Sequence, residues 1–532
     1  MKLSKIHSSF LYLFVCLVFG VFYSVLYFNY LQKDPILGRD DVLLVYPLKS
    51  ISTLNQYVTD VKNNTILDFQ PIRDLTLYLN IKTIEWSGIS TFHITNFVLF
   101  LFSIFLFMKL LDALGFLRNQ IIWSGILFAS HPLMVSSVGW ISARKHSLGL
   151  VFLLLCLLSF IKHRKITIFS ILCYAFSILS HQIFILFPAW LFLYARCKKI
   201  KLDKVRSLVL SFIGLVVLFL GVLKTFFLEM GNVTYKHFHW YENISRYVLS
   251  VGRSVSQVIL PISISGDYYQ GSILNLLGIP LLILCLFFIY KSKNRLDPFL
   301  WIGLAAVVHI PTYIAFTNDT YLYLPLICVI VSANYYFLNM SFQINSKIKF
   351  ASLLFYISLL LTKTISASQM WRSDLDLWRY SYSNEPSPFN SILYGTHLLK
   401  YDEKVGLEFI IWGANNYDLI GNKAVFFSFL DIISRSSLPI QKKIEVFKDC
   451  YRDHEIYKAY YGRSLLEGTN EQMLLGINIL KPLLKDEKSY PPGSQGTTII
   501  QSIKQLCLDH KDKIQVCKDL GLSTYGQQEG IP

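Results

Sequence analysis

The chain has 532 residues, of which 53% are hydrophobic, 15% are aromatic and only 16% are charged, and its formal net charge is +16. A soluble protein carries roughly a quarter of its residues charged, so this composition excludes an ordinary soluble enzyme and indicates a membrane protein. Most of the positive charge lies in short segments between apolar runs, which argues against a basic face that binds nucleic acid.

The first predicted element is an apolar run over residues 9–30, which follows a short basic N-terminal segment. The run is longer than the apolar core of a signal peptide, and no small-residue cleavage pattern follows it. It therefore predicts a retained first span, with the N-terminus in the cytoplasm.

Further apolar runs have the length of about twenty residues that crosses a ~30 Å hydrocarbon core. They are centred near Ile104, Leu127, Leu153, Leu172, Leu191, Val216, Leu282, Val307, Cys328 and Tyr356. With eleven spans in all, the basic clusters at 162–165, 196–206, 291–295 and 346–349 join the N-terminus on the cytoplasmic side, as the positive-inside rule requires. The sequence thus predicts eleven spans.

Residues 241–263 are also rich in apolar side chains, but Arg246 and Arg253 recur among them at helical spacing. This pattern predicts an amphipathic helix that lies in the membrane interface rather than across the bilayer. In the predicted topology the helix belongs to the extracytoplasmic (outer) side.

The predicted topology divides the chain into a membrane domain over residues 1–366, with its first outer loop at 31–92, and an outer C-terminal domain over residues 367–532. In the latter, residues 387–416 and 455–485 carry apolar side chains at helical spacing on both sides of a short polar turn. This predicts helical hairpins, either tetratricopeptide-like repeats or a helical packing module without that repeat. The predicted fold class is all-α, a polytopic membrane protein with a C-terminal helical domain.

Two adjacent carboxylates, Asp40 and Asp41, follow the first span closely. Partial desolvation near the hydrocarbon makes a carboxylate a better proton acceptor, and a pair of carboxylates can also bind a divalent cation. Asp40 and Asp41 are therefore candidates for a general base or a cation site. The alternative is that they only begin a polar loop.

Polar residues then bracket a short predicted helix in the first outer loop, namely Arg73, Asp74, His93 and Asn96. His93 and Asn96 are three residues apart at the entry to a span, so they share one helical face. Polar side chains at such a place more often line a cavity than face lipid, which predicts a substrate cavity. A polar, capped helix entry is the alternative.

The segment "SHPLMVSSVGWISARKHS" interrupts the next apolar run. His131 and Pro132 break the helix, a feature that is tolerated at membrane depth where it borders protein or a cavity. Arg144 and Lys145 fall on the outer side, against the positive-inside rule. A guanidinium fork beside an ammonium predicts a phosphate clamp, which His131 and His181 of the next outer loop could join. Snorkelling to lipid headgroups, or an error of one in the span count, would also explain the two cations.

A later outer turn, "SISGDYYQG", places Asp267 beside tyrosines near the membrane. Asp267 is a further candidate for the wall of the cavity. The tyrosines alone are also explained by the aromatic belt at a membrane surface.

Taken in order, these segments resemble a known family. They are the acidic pair after the first span, then "QPIRDLTLYLN", "FHITNFVLF", "FASHPLMVSSVGWISARKHSLGL", "LSHQIFILFP", "LPISISGDYY", "YLYLP" and "MWRSDLDLWRYSYSNEPSPFNS". The chain is similar over residues 40 to about 390 to the membrane O-mannosyltransferases with tetratricopeptide repeats and to their bacterial relatives, which belong to the GT-C glycosyltransferases.

The resemblance implies an enzyme that moves a sugar from a polyprenyl-phosphate donor to a protein hydroxyl or a glycan on the outer face. Asp40 and Asp41 match the family's acidic pair, where the catalytic carboxylate is expected, and Arg144 and Lys145 match its arginine–lysine pair. The implied partners are the lipid-linked sugar and an acceptor that the C-terminal domain holds. The implied location is a bacterial inner membrane or an endoplasmic reticulum membrane.

Some positions depart from the family pattern. His146 stands where family members commonly have an acid, His181 and Gln182 stand where they have a lysine–glutamate pair, and Thr320 stands where they have an arginine. The alternatives to a protein glycosyltransferase are therefore an envelope glycan polymerase or ligase, a non-catalytic membrane scaffold and a transporter. A transporter should show pseudo-symmetric halves, and the sequence has none.

Overall fold

The computed structural model describes residues 2–27, 41–49, 70–229, 240–265, 274–291, 296–309, 319–339, 346–416, 438–449 and 455–485, and a few residues within 51–57 and 433–434. Every regular element within these residues is helical, which confirms the all-α prediction.

The helices of the N-terminal part lie between Lys2 and Asn384. They are α1 (Lys2–Tyr27), α2 (Asp41–Lys49), α3 (Pro71–Ser87), α4 (Phe92–Ala113), α5 (Arg118–Ser130), α6 (Val135–Gly139), α7 (Arg144–His163), α8 (Ile168–Ser180), α9 (Phe187–Cys197), α10 (Lys204–Glu229), α11 (Trp240–Ile259), α12 (Leu274–Lys291), α13 (Leu296–His309), α14 (Tyr323–Asn339), α15 (Ser346–Ser368) and α16 (Asp374–Asn384). The C-terminal helices are α17 (Pro388–Leu398), α18 (Glu403–Asn416), α19 (Ile440–Asp449), α20 (Glu455–Leu465) and α21 (Asn470–Lys485).

Several of these helices have the length and composition of membrane spans. Within the described residues, 4 helices qualify alone, and 5 spans result if a bent pair is counted as one. They are Ser9–Tyr27, Phe92–Ala113, Ile141–His163 and Lys347–Trp371, with Arg118–Ser130 and Pro132–Gly139 as the bent pair. Shorter apolar helices cover the other predicted runs, apart from the one in α10. The membrane character is supported, and the number of eleven spans stays a prediction.

The bent pair is broken at the predicted position. His131 adopts an extended backbone because Pro132 follows it, and the two helical parts meet at 57°. The break frees backbone carbonyls from the helix, and the Thr364 hydroxyl donates to the carbonyl of Ser130 (2.7 Å). The break is thus stabilised by a side chain from another helix, as is expected where a helix breaks inside a membrane.

Beyond the break, the chain packs closely against the end of α15. A Cβ atom on Gly139 would overlap the Trp371 indole, so only glycine fits there. The rings of Trp140 and Trp371 stack with their centroids 6.2 Å apart. These contacts fix the turn that leads into Arg144.

The predicted interfacial helix corresponds to α11, but its polar face is turned inward. Arg253 is buried and forms an ion pair with Glu385 (3.0 Å), whose carboxylate also accepts from the Ser263 hydroxyl (3.0 Å). Ile244 and Val248 on the same helix are exposed. Arg253 therefore does not face headgroups, because it lies in a polar interior where its charge is compensated.

The chain divides into two compact units. The first unit comprises Met1–Thr225 and Phe238–Glu385, and the second comprises Phe226–His237 and Pro386–Pro532. In the second unit, the segments over 387–416 and 455–485 each form a pair of helices, α17 with α18 and α20 with α21. A core that includes Ile410, Phe447 and Leu480 lies among these helices and α19.

Candidate functional site

The centre of the candidate site is the buried guanidinium of Arg144, the first residue of α7. Its Nε donates to Oδ1 of Asn96 (2.8 Å), Nη1 donates to Oδ1 of Asn80 (2.5 Å) and to the Thr76 hydroxyl (3.4 Å), and Nη2 donates to the carbonyl of Phe92 (2.8 Å). The planar fork of donors thereby joins α3, α4 and α7.

Two asparagines extend this network through their amide nitrogens. Nδ2 of Asn80 donates to the hydroxyls of Thr91 (2.9 Å) and Thr95 (2.8 Å), and Nδ2 of Asn96 donates to the carbonyl of Trp140 (2.9 Å). An amide offers an acceptor and donors on one planar group. Each asparagine can therefore accept from Arg144 and donate to a second segment.

Asp41 belongs to the same region, at the N-terminus of α2. Its Oδ1 accepts from the backbone N–H (2.8 Å) and the hydroxyl (2.5 Å) of Ser142, two residues before Arg144. The carboxylate also acts electrostatically on the Arg144 guanidinium. Hydrogen bonds of this kind stabilise the ionised carboxylate and fix its orientation.

Arg73 and Asp74 form a buried ion pair on α3. Nε and Nη2 of Arg73 lie 2.7 Å and 2.6 Å from Oδ1 of Asp74, and Nη1 donates to Oε1 of Gln70 (3.1 Å). Arg73 acts electrostatically on Arg144 as well. The predicted cavity residues Arg73, Asp74 and Asn96 are thus close to Arg144, and the two charges of the ion pair neutralise each other.

Tyr57 packs beside this pair. Its hydroxyl donates to the carbonyl of Pro71 (2.7 Å), and its ring stacks on Tyr78 at 5.5 Å between centroids. Burial, with a smaller effect of the Asp74 carboxylate, raises the pKa of the Tyr57 hydroxyl above its ordinary value. Tyr57 is therefore a neutral hydrogen-bond donor at physiological pH.

His93 is buried on α4, on the same face as Asn96. Its Nδ1 lies 3.2 Å from the carbonyl of Val138. This contact ties α4 to α6, just before the turn that carries Ser142. The structure therefore places His93 as a contact between segments at the edge of the Arg144 network.

The two histidines predicted to join a phosphate clamp both cap short 3-10 turns. Nδ1 of His131 accepts from the N–H of Leu133 (3.3 Å), and its Nε2 lies 3.2 Å from the carbonyl of Val258. Nδ1 of His181 accepts from the N–H of Ile183 (3.1 Å). Each histidine directly follows a serine that ends a helix, so the two breaks share one local design.

His146 and His181 meet in the structure. Their ring centroids are 4.2 Å apart, and the ring of Tyr321 lies 4.8 Å from the first and 5.8 Å from the second. The two departures from the family pattern at these positions are therefore in direct contact. The rings of His146, His181 and Tyr321 thus form one aromatic cluster.

Lys145 is the predicted cation whose side chain is only half-buried. Within the described part of the chain, no carboxylate pairs with it. It lies next to Arg144 and acts electrostatically on His146. With Arg73, Arg144 and Lys145 set against Asp41 and Asp74, the described cluster has one more positive than negative charge, which favours an anionic ligand.

Several predicted residues lie outside this description. Asp40 and Asp267 are outside the described residues. Thr320 lies in a 3-10 turn, and its side chain is outside the description as well. Among the described residues, no group of three or more His, Cys, Asp and Glu side chains lies close enough to hold a metal. The predicted cation at Asp40 and Asp41 stays a prediction.

Sequence reasoning missed several residues in and beside the network, among them Asn80, Ser142 and Tyr57. Asn80 follows Arg73 by seven residues and Thr76 by four, so helical spacing placed all three on one face and could have identified it. Ser142 contacts Asp41, which is distant in the sequence. Tyr57 contacts the backbone carbonyl of Pro71, which no side-chain pattern indicates. Nothing in the sequence singled these two out.

No family model, no curated protein and no solved structure matches the chain. The candidate site is therefore supported by the geometry of its residues and by the resemblance of the sequence segments.

Proposed function

We propose that the chain is an integral-membrane glycosyltransferase that moves a sugar from a polyprenyl-phosphate donor to a protein hydroxyl or a glycan. The observation that carries the proposal is the attachment of Asp41 to Ser142, in the turn that also supplies Arg144 and Lys145. Sugar transfer from a lipid phosphate needs a base for the acceptor hydroxyl and a positive charge for the leaving phosphate. A carboxylate and a cation close to one turn can supply both.

In this mechanism the acidic pair supplies the base. The Asp41 carboxylate, or Asp40 beside it, takes the proton of the acceptor hydroxyl while the hydroxyl oxygen bonds to the sugar carbon. The bond between that carbon and the phosphate oxygen breaks, and polyprenyl phosphate leaves with the electron pair. The hydrogen bonds from Ser142 orient Asp41 for the proton transfer.

The two cations have different roles in the proposal. Lys145 is half-buried and supplies the positive charge that contacts the leaving phosphate. Arg144 is a positioning residue, because its donors are engaged by Asn96, Asn80 and the carbonyl of Phe92. It holds α3 and α4 against the turn that presents Lys145.

The proposed setting is a multi-pass protein of a bacterial inner membrane or of the endoplasmic reticulum membrane. The N-terminus is cytoplasmic, and the C-terminal helical unit lies on the outer side, where it holds the acceptor. Hydrocarbon-facing helices and a lipid-linked donor suit each other, since the polyprenyl chain stays in the bilayer during transfer.

The test compares surface glycans and glycoproteins by mass spectrometry in a deletion strain complemented with wild type, Asp41→Asn or Asp112→Asn. Asparagine keeps the oxygen that accepts from Ser142 but cannot take a proton, so the glycan change of the deletion should persist with Asp41→Asn. Asp112 is an exposed carboxylate at the other end of α4, and its matched substitution should restore the wild-type glycans.

Immunoblots of the membrane fraction should show equal amounts of the three proteins. Loss of a sugar from proteins indicates a protein acceptor, whereas shortened lipid-linked glycans indicate a polymerase or ligase. Full complementation by Asp41→Asn would remove the proposed base.

One observation favours a second candidate, a non-catalytic membrane scaffold. The described charges of the site other than Lys145 are engaged within the protein, as in a purely structural network. A scaffold predicts that a deletion leaves all glycans unchanged, so the same comparison separates the two functions.

A further inference from the structure

The buried face of helix α3 mixes polar and apolar side chains. It carries Arg73, Asp74 and Asn80, which belong to the region of the Arg144 network, together with the apolar Leu77 and Ile81. In water, a helix usually buries its apolar side and exposes its polar side. Because α3 buries three polar side chains, the nature of its exposed face raises the question of what that face contacts.

The exposed face carries large apolar side chains. Leu79 is 53% exposed and Trp86 is 89% exposed, and Ile89 just after the helix is 48% exposed. Leu79, Thr83 and Trp86 are spaced by four and three residues, so they form one stripe along the helix. Exposed apolar stripes of this kind mark interaction sites, because water is a poor environment for them.

A charged rim borders the stripe. Nζ of Lys82 lies 2.8 Å from the carboxylate of Glu85, and the same ammonium group sits 5.5 Å from the centre of the Tyr78 ring. An apolar stripe that ends in tryptophan, flanked by charges, has the composition of a helix at the boundary between headgroups and acyl chains.

The connection to α4 places this stripe beside the bilayer. Gly88 adopts a left-handed backbone (φ 69°) and its N–H donates to the carbonyl of Ile84 (2.8 Å), which ends α3 abruptly. Phe92 begins the next helix, which has the length and composition of a membrane span. Ile89 is only three residues from the start of that span, so Trp86 and Ile89 lie near the membrane surface.

We propose that the stripe of Leu79, Trp86 and Ile89 inserts into the lipid headgroup boundary at the N-terminal end of α4. The occupant is lipid because the stripe continues from a membrane span and has the charged rim of an interfacial helix. Insertion of this face fixes the depth of α3. The opposite face then holds Asn80, and through it Arg144, at the membrane surface. The inference does not depend on the glycosyltransferase proposal.

The test uses the full chain in phosphatidylcholine vesicles with ordinary or brominated acyl chains, since bromine quenches tryptophan only at close range. Trp86 is one of nine tryptophans, so its emission is obtained as the difference between wild type and Trp86→Phe. This difference spectrum should lose most of its intensity in brominated lipid. Phenylalanine keeps the exposed position apolar, and the helix should therefore fold normally.

Trp412→Phe is the matched control. Trp412 is partly exposed in the second unit, whereas the candidate spans found in the described residues lie in the first. Its difference spectrum should keep its intensity in brominated lipid. Adding Ile89→Trp to Trp86→Phe should restore a component that bromine quenches.

Two results would overturn the proposal. Quenching of the Trp86 component by acrylamide but not by bromine would place the stripe in water. Protection from both quenchers would show that protein rather than lipid covers it.

Discussion

Arg144 and Lys145 follow one another at the start of α7, but their side chains leave the helix about 100° apart. One is therefore directed into the protein and is fully buried, while the other stays half-buried. A buried guanidinium is stable only when hydrogen bonds replace its water, and Asn80 and Asn96 supply these. The pair thus divides into a cation that holds the structure and a cation that remains available.

The role of Arg144 predicts that Arg144→Lys destabilises the protein although the charge is kept. A compact ammonium group cannot reach the acceptors on Asn80, Asn96 and Phe92 at once. Leaving buried acceptors unsatisfied should cost about 1–3 kcal/mol. Thermal unfolding in detergent, followed by a dye that reacts with buried thiols such as Cys156 and Cys328, measures the loss.

Arg118→Lys is the control for this measurement. Arg118 begins α5 and is exposed, so the substitution should leave the unfolding midpoint unchanged. An Arg144→Lys protein that unfolds at the wild-type temperature would show that the fork geometry is not needed.

The sequence singled out the arginine–lysine pair through an exception to a charge rule, and it placed His93 and Asn96 on one face. It could not show that His146 and His181 touch, because residues 146 and 181 are far apart in the chain and no sequence pattern links them. The structure thus brings together two histidines that the sequence analysis treated separately.

Hydropathy predicted where the helices lie, but not how they break or which way they face. The break at His131 followed from Pro132, whereas the length of each helix on either side depends on packing. Periodicity identified the polar face of α11 but not its environment. In a bilayer, polar side chains turn toward the protein interior, and Arg253 accordingly pairs with Glu385.

The turn between α6 and α7 depends on Gly139, which predicts that Gly139→Ala destabilises the protein. The added methyl group would overlap the Trp371 indole, so the tryptophan or the backbone must shift. Overpacking of this kind should cost about 1–3 kcal/mol. The midpoint of thiol-reactive thermal unfolding should fall accordingly.

Gly303→Ala provides the comparison for Gly139→Ala. A Cβ atom on Gly303 would meet no atom within 4 Å, and the residue lies inside α13. Alanine is the better helix former, so this change should leave the midpoint unchanged or raise it slightly. Equal midpoints for the two alanine variants would show that Trp371 does not constrain the turn.

For the whole molecule, composition was sufficient to predict a helical membrane protein, and helical spacing predicted the paired segments at 387–416 and 455–485. The structure places the end of the first unit at Glu385, because α16 and the ion pair of Glu385 with Arg253 belong to it. Apolar periodicity could not place that limit, since a buried ion pair between residues distant in sequence leaves no local pattern.

The orientation of the whole chain gives the last prediction, because an odd number of spans puts the two ends of the chain on opposite sides of the membrane. With eleven spans, a fluorescent protein fused after Lys201, in the basic segment 196–206, should fluoresce, since that segment is predicted to be cytoplasmic. The same fluorescent protein fused after Pro532 should be exported to the outer side and remain dark. Alkaline phosphatase fused after Pro532 should be active. Each reporter at the other site is the control. A fluorescent C-terminal fusion would place the C-terminal unit in the cytoplasm, where it could not hold an acceptor for a transfer on the outer side.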